Sequence, residues 1–139
     1  MSTPKPTWRR SIEVEGLHHG GAPIPQASLV GSLLMSSGIN GMDREGKIPG
    51  DAATQVALIF DNIAALVEAA GGTLGDIAKC TFFVRDRSIR ELIDEHWVAA
   101  FPDPASRPAR HTLVQQLSAA QHLQCELVAN LEHLERHDR

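Results

Sequence analysis

Tyrosine is absent from this chain of 139 residues, so any mechanism that needs a phenol is excluded. Cysteine occurs twice, as Cys80 and Cys125. Two thiols make no disulfide framework, and these lack the paired spacing of a zinc site. Lys and Arg number 13 against 17 Asp and Glu, a net charge of −4. Such a chain has no general attraction to phosphate backbones, and it has no basic–aromatic patch to stack single strands. Nucleic acid is therefore not an expected partner. No apolar run approaches the ~20 residues of a membrane span, so no membrane partner is expected either. Met1–Arg10 is polar, holds two prolines and has no apolar core of signal type, which points to the cytoplasm. Dinucleotide and nucleoside-triphosphate loops and a G-x-S-x-G elbow are also missing.

What is present fits one domain over residues 1–139, with a loose tail at 1–7. Val56, Ile59, Phe60, Ile63, Leu66, Val67 and Ala70 recur at three- and four-residue spacing. They predict a helix from Asp51 to Ala70, capped by Asp51 and ended by Gly71-Gly72. A second helix is expected from Ser88 to Ala100, with a Ser88–Glu91 capping box and a stop at Pro102 and Pro104. Strands are expected over Trp8–Val14, Ala27–Val30, Ser32–Ser37, Ile77–Val84, Arg110–Leu117 and Leu123–Leu131, with a turn at Gly31. Asn40–Gly50 reads as a loop. The order predicts an α+β fold: a largely antiparallel or mixed sheet with two helices on one face. In Ile77–Val84, Cys80, Phe82 and Val84 share one face and Thr81 and Phe83 the other. Both faces are apolar and two helices cover only one, so a homo-oligomer is expected to cover the second, unless this is an ordinary central strand with half-exposed residues.

Arg110 heads an apolar strand, and its planar fork suits a carboxylate. It either anchors a ligand or forms a structural ion pair. Arg107, before Pro108, reads as a solvated charge. Glu126 lies inside Leu123-Gln-Cys-Glu-Leu-Val-Ala129. A carboxylate there should be paired or have a raised pKa. It is a general acid/base in a pocket or a partner for Arg110 or Arg107. Cys125 points away from Glu126 and reads as packing. The seven histidines fit no common zinc spacing, so no metal is expected. His111 reads as a satisfied structural histidine, and His19, before a Gly-Gly-Ala-Pro-Ile-Pro loop, as an ordinary exposed loop residue in preference to one lining a pocket rim.

Taken in order, several segments resemble the Rid, or YjgF, family of enamine/imine deaminases. These are Pro23-Ile-Pro-Gln-Ala27, Ser36-Ser-Gly38, Gly50 to Gln55, Asp61-Asn62, Val67-Glu-Ala-Ala-Gly71, Gly75-Asp-Ile77, Lys79, Phe83-Val84, Pro108-Ala-Arg110 with Thr112, and Glu126-Leu-Val-Ala129. The resemblance runs from Pro23 to Ala129. It implies a chorismate-mutase-like fold and a homotrimer whose sheets form a central barrel with sites in the clefts between subunits. It also implies hydrolysis of 2-enamino or 2-imino acids to 2-oxo acids and ammonia, without metal or organic cofactor. By the same resemblance Arg110 grips the substrate carboxylate and Glu126 serves the attacking water, while Ser37, Gly38 and Thr112 line the reacting centre. The chain departs from the family at three substrate-facing positions: Ile24 stands for a tyrosine, Ile39 for a glutamine and Asp94 for an asparagine.

The chemistry is reasonable in itself. An imine carbon beside a carboxylate is already electrophilic, so the protein need only hold it and supply water. One positioned acid/base adds ~10²–10⁴-fold. The alternative reading is a non-catalytic trimer that binds small carboxylates or regulates. Retention of Arg110 and Glu126 favours the enzyme, and loss of the tyrosine favours the alternative.

Overall fold

The computed structural model describes residues 8–118 and 120–132. The predicted tail at 1–7 lies outside the described residues, apart from its boundary with Trp8. The strands are β1 (Arg9–Ile12), β2 (Ala27–Val30), β3 (Leu33–Ser36), β4 (Ile39–Asn40), β5 (Ile77–Val84), β6 (Ala109–Val114) and β7 (Leu123–Asn130). The helices are α1 (Ala52–Ala69) and α2 (Ile89–Ala100). One sheet runs β1-β2-β3-β7-β5-β6, with β4 also paired to β7. All pairs are antiparallel except β5–β6, which are parallel and connected through α2. The fold is α+β with a mixed sheet.

The helix α1 follows its pattern. Asp51 is extended and its Oδ2 accepts from the Thr54 amide (2.9 Å) and hydroxyl (2.7 Å). Those bonds hold its carboxyl below the usual carboxylate range. At the far end Gly72 N–H bonds to Val67 O and Gly71 N–H to Glu68 O, with Gly71 at φ +93. A left-handed residue there favours glycine. By length and composition α1 is apolar enough to cross a membrane, contrary to the expectation from run length. Its Val56, Ile59, Ile63, Leu66 and Val67 are buried in the core, as in the central helix of a folded domain.

Three details depart from expectation. Ser88 has helical dihedrals and makes no side-chain cap; instead Asp86 Oδ1 accepts from Ser88 N–H at 2.8 Å. A carboxylate two residues upstream thus takes the Ser88 amide that the Glu91 side chain would accept from in a capping box. The strand expected to Leu117 ends at Val114, where Arg85 Nη2 donates to the carbonyls of Leu117 (3.3 Å) and Ser118 (2.7 Å) and holds the chain off the sheet. Ile39–Asn40 pairs with Cys125 and Gln124 rather than looping, a ladder too short to carry an alternation.

Cys80, Phe82, Val84, Leu123, Cys125, Leu127 and Ala129 face α1 and α2 and are buried. The opposite face is open. It carries Val30, Leu33, Met35 and Leu113, which are 46%, 43%, 51% and 37% exposed. Val30, Leu33 and Met35 adjoin one another on β2 and β3, whereas Leu113 lies three strands away on β6.

Candidate active site

Four of the chain's six Phe and Trp residues lie in one run beneath the start of β6. Phe60 stacks on Phe82 (5.8 Å between centroids), Phe82 meets Trp97 edge-on (6.2 Å), and Trp97 meets Phe101 (4.8 Å). Arg110 lies over this run, its Cζ 5.2 Å from the Trp97 centroid and 6.0 Å from that of Phe82. Its side chain is only 16% exposed. Ring faces attract a cation, which offsets part of the cost of withdrawing this charge from water. Nη2 donates to Asp94 Oδ1 at 2.6 Å, and Asp94 is 59% exposed. The other guanidinium N–H groups make no hydrogen bond among the described residues. Thr112, half-buried, lies two residues along β6 on the same face.

Arg107 is exposed, as expected of a surface charge, and it is also held in place. Its Nε donates to Phe101 O at 2.8 Å and its Nη2 approaches Pro102 O at 3.4 Å. It thus serves carbonyls left free at the end of α2 and sets the entry into β6.

Glu126 stands opposite Thr81 in β5, and His111 flanks Thr81 from the other side. All three share the open face. His111 is exposed, not a satisfied structural histidine, because nothing in the protomer covers this side of β6. Glu126 is exposed and pairs with neither Arg110 nor Arg107, as its strand alternation turns it from the helices. Cys125 points the opposite way and is fully buried. Burial, reinforced by a hydrogen bond with Cys80, pushes its thiol pKa well up. That leaves a packing residue, not a nucleophile.

Beside Glu126 the sheet is irregular. Met35 pairs with Val128 and Ile39 with Cys125, so residues 36–38 span the stretch that 126–127 span on β7. The extra residue makes a bulge at Ser37-Gly38, a device that re-aims backbone groups. Ser37 Oγ donates to Pro25 O (2.8 Å), which ties the bulge to the loop bearing Ile24. A Cβ on Gly38 would lie 2.6 Å from Gln124 Nε2, so only glycine fits unless Gln124 moves.

The loop histidine His19 is half-buried rather than free. Its Nε2 donates to Gly38 O (2.8 Å) while Nδ1 lies 3.2 Å from Gln26 Nε2. A neutral ring protonated on Nε2 satisfies both contacts. The sequence held no signal for this, because the bond joins two loops 19 residues apart. His18, His19, Ile24, Asn40, Gln121 and Gln124 border a cleft of about 440 Å³. A larger depression of about 840 Å³ is lined by Arg85 and residues 114–118 and contains no candidate residue; of the candidate residues the smaller cleft contains only Ile24, and neither Arg110 nor Glu126 lines it. Ile24 is 49% exposed at its rim, whereas Ile39 is 2% exposed and belongs to the core. Ile39 therefore has no side chain to offer a substrate, since its place opposite Cys125 turns it to the helices. Among the described residues no three His, Cys, Asp or Glu side chains gather to hold a metal ion.

Residues 22–130 match the family model described as Endoribonuclease L-PSP, the YjgF or Rid family. The chain belongs to that family. A curated Rid-family relative, the 2-iminobutanoate/2-iminopropanoate deaminase of Escherichia coli K12, is 34% identical over 103 residues, covering 73% of this chain and 80% of the relative. Among solved structures, RidA from an Antarctic Psychrobacter superposes with a TM-score of 0.78 at 28% identity, over 87% of this chain and 98% of that one. Escherichia coli TdcF with bound serine superposes with a TM-score of 0.78 at 29% identity, with the same coverage.

Proposed function

We propose that this protein hydrolyses 2-imino and 2-enamino acids to 2-oxo acids and ammonia, at sites completed between the subunits of a homotrimer. The observation that carries this reading is Arg110: a largely buried cation, seated on Trp97 and Phe82, with most of its donors uncommitted. A buried guanidinium of this kind is suited to bind a planar carboxylate in two-pronged fashion. The 34% identical deaminase and the serine held by TdcF favour a small substrate with a carboxylate.

Within one protomer, Arg110 and Thr112 lie on the helix side of β6, and Glu126 lies on the open side of β7, alongside the Ser37-Gly38 bulge. A second copy seated on the open face would bring its Arg110 and Thr112 toward this protomer's Glu126 and Gly38. The exposed Val30, Leu33 and Met35 favour such a contact, and three copies would close the sheets into a chorismate-mutase-like barrel. Arg110 then holds the substrate carboxylate, and that orientation places the imine carbon. Glu126 takes a proton from the attacking water as the C–O bond forms and returns one to the departing nitrogen. Thr112, Ser37 and the Gly38 backbone line the reacting carbon, Ile24 borders the side-chain end, and Asp94 adjoins the carboxylate site. RNA cleavage, which the family description names, has less support in a chain of net charge −4.

The test generates imino acids in situ from a panel of amino acids with an amino-acid oxidase. Ammonia release and semicarbazone trapping are followed with and without the protein. Faster ammonia release with less trapped imine is the expected result. No acceleration across the panel, together with retained binding of 2-oxo acids, would replace the enzyme with a carboxylate-binding or regulatory trimer.

A further inference from the structure

We infer that Asp94 makes the Arg110 site selective for a ligand whose carboxylate is accompanied by a positive charge, so that it binds the protonated imine more tightly than the 2-oxo acid product. This assignment deepens the imine-hydrolysis reading and rests on it.

Arg110, largely buried, lies beside a carboxylate belonging to the chain itself. Asp94 Oδ1 takes one guanidinium N–H at 2.6 Å, and the second Asp94 oxygen makes no hydrogen bond among the described residues. The two side chains come from different elements, Asp94 from α2 and Arg110 from β6. Asp94 is 59% exposed, so it can be reached by whatever occupies the neighbouring donors of Arg110.

A ligand carboxylate on those donors would lie within one guanidinium width of a second carboxylate. Two like charges so close repel, and a 2-oxo acid brings nothing to relieve this. A 2-iminium acid is different. Its =NH₂⁺ group is one carbon from its carboxylate, so the same molecule that docks on Arg110 can give an N–H to Asp94. Arg110 and Asp94 then form a dipole matched to a zwitterion.

The charges change as the reaction proceeds. The zwitterion R–C(=NH₂⁺)–COO⁻ and water give R–CO–COO⁻ and NH₄⁺: a C–O bond forms, the C–N bond breaks, and the ammonium carries away the positive charge. Net charge is conserved, but the organic product is now an anion facing Asp94. Substrate capture and product expulsion follow from one side chain. A neutral amide at this position would hydrogen-bond either species and discriminate far less.

Titration calorimetry on the intact assembly with L-2-aminobutanoate and 2-oxobutanoate tests this, since the two share a side chain and a carboxylate and differ in the positive charge. The expected result is tighter binding of the amino acid by the parent. Asp94→Asn should lower the amino-acid to oxo-acid affinity ratio about tenfold, the scale of one screened charge–charge contact. Asp94→Glu, which keeps the charge, should retain the preference. A ratio unchanged in Asp94→Asn would overturn the inference, as would an equal gain in both affinities, which would make Asp94 a plain competitor for Arg110. If neither ligand bound the parent or the Asn variant, the carboxylate role of Arg110 would fall, and the imine-hydrolysis reading with it.

Discussion

Arg110 and Glu126 project from opposite faces of one sheet. Arg110 stands opposite Cys80 in β5 and Glu126 opposite Thr81, its chain neighbour. A single step of strand alternation separates them, so within one protomer they cannot face a common ligand. Either they are unrelated, or a second copy completes the site.

Assembly is the first expected outcome. The open face carries Val30, Leu33 and Met35 in adjoining strands. Sedimentation equilibrium should give three times the chain mass. Met35→Asp changes a residue 51% exposed in the protomer, so the fold should survive while the assembly dissociates and turnover is lost. A parent protein that sediments as a stable, active monomer would remove the shared site altogether.

Arg110→Ala should lose most affinity for a 2-oxo acid. Truncating one side of a buried, hydrogen-bonded charge pair costs ~2–5 kcal/mol, roughly 30-fold to several thousand-fold in binding. Arg110→Lys should not restore it, because an ammonium lacks the planar fork. If Arg110 were only the structural partner of Asp94, binding would fall in step with thermal stability. Calorimetry and thermal unfolding on the same variants separate the two. A folded Arg110→Ala assembly with parental affinity would end the anchor role.

Much of this was legible in the residues. Ile77–Val84 announces itself by its density of strand formers, and α1 by a continuous stripe with a cap at each end; both lie where the pattern places them. Local chemistry of that kind survives folding because the sheet and helix periods act within one element. The capping box at Ser88 failed for a local reason too, since Asp86 competes for the same amide. The bonds from His19 to Gly38 and from Arg110 to Asp94 were not legible as contacts. Each joins two elements, and only the docking of α2 on β6, or of one loop on another, brings the partners together. The bulge at Ser37-Gly38 was hidden because it is a mismatch of register between two strands, and a single strand carries no register.

Cys125 should make stability fall at alkaline pH. Its pKa is raised in the folded protein, first by burial and then by the hydrogen bond with Cys80. A group of this sign contributes stability in full below its unfolded pKa and loses it as the unfolded thiol ionises. Above the ordinary thiol value of 9.0, stability should fall as pH rises, because only the unfolded thiol ionises there. Denaturant unfolding at pH 7 and pH 10 should therefore show a steeper loss in the parent than in Cys125→Ala, whatever their difference at pH 7. Equal slopes would mean that the thiol is not withheld from ionisation. Alkylation should be blocked until the chain unfolds, and a folded Cys125→Ala should keep its turnover.

Glu126→Gln probes the chemical step. The amide has the carboxylate's size and polarity but cannot accept the proton of the attacking water. Turnover of an in situ imino acid should fall ~10²–10⁴-fold, the range of one general acid/base. Binding of a 2-oxo acid should change little, since Arg110 carries that contact and Glu126 lies across the sheet from it. A loss confined to kcat marks an interaction made in the transition state. Glu126 is exposed in the protomer, so the substitution should leave thermal unfolding of the chain nearly unchanged. If instead Glu126→Gln dissociated the assembly, Glu126 would be an interface residue and the loss of turnover indirect. Sedimentation of the variant decides between these. An intact assembly with parental turnover would remove Glu126 from the mechanism and leave Arg110 as the anchor of a binding site alone.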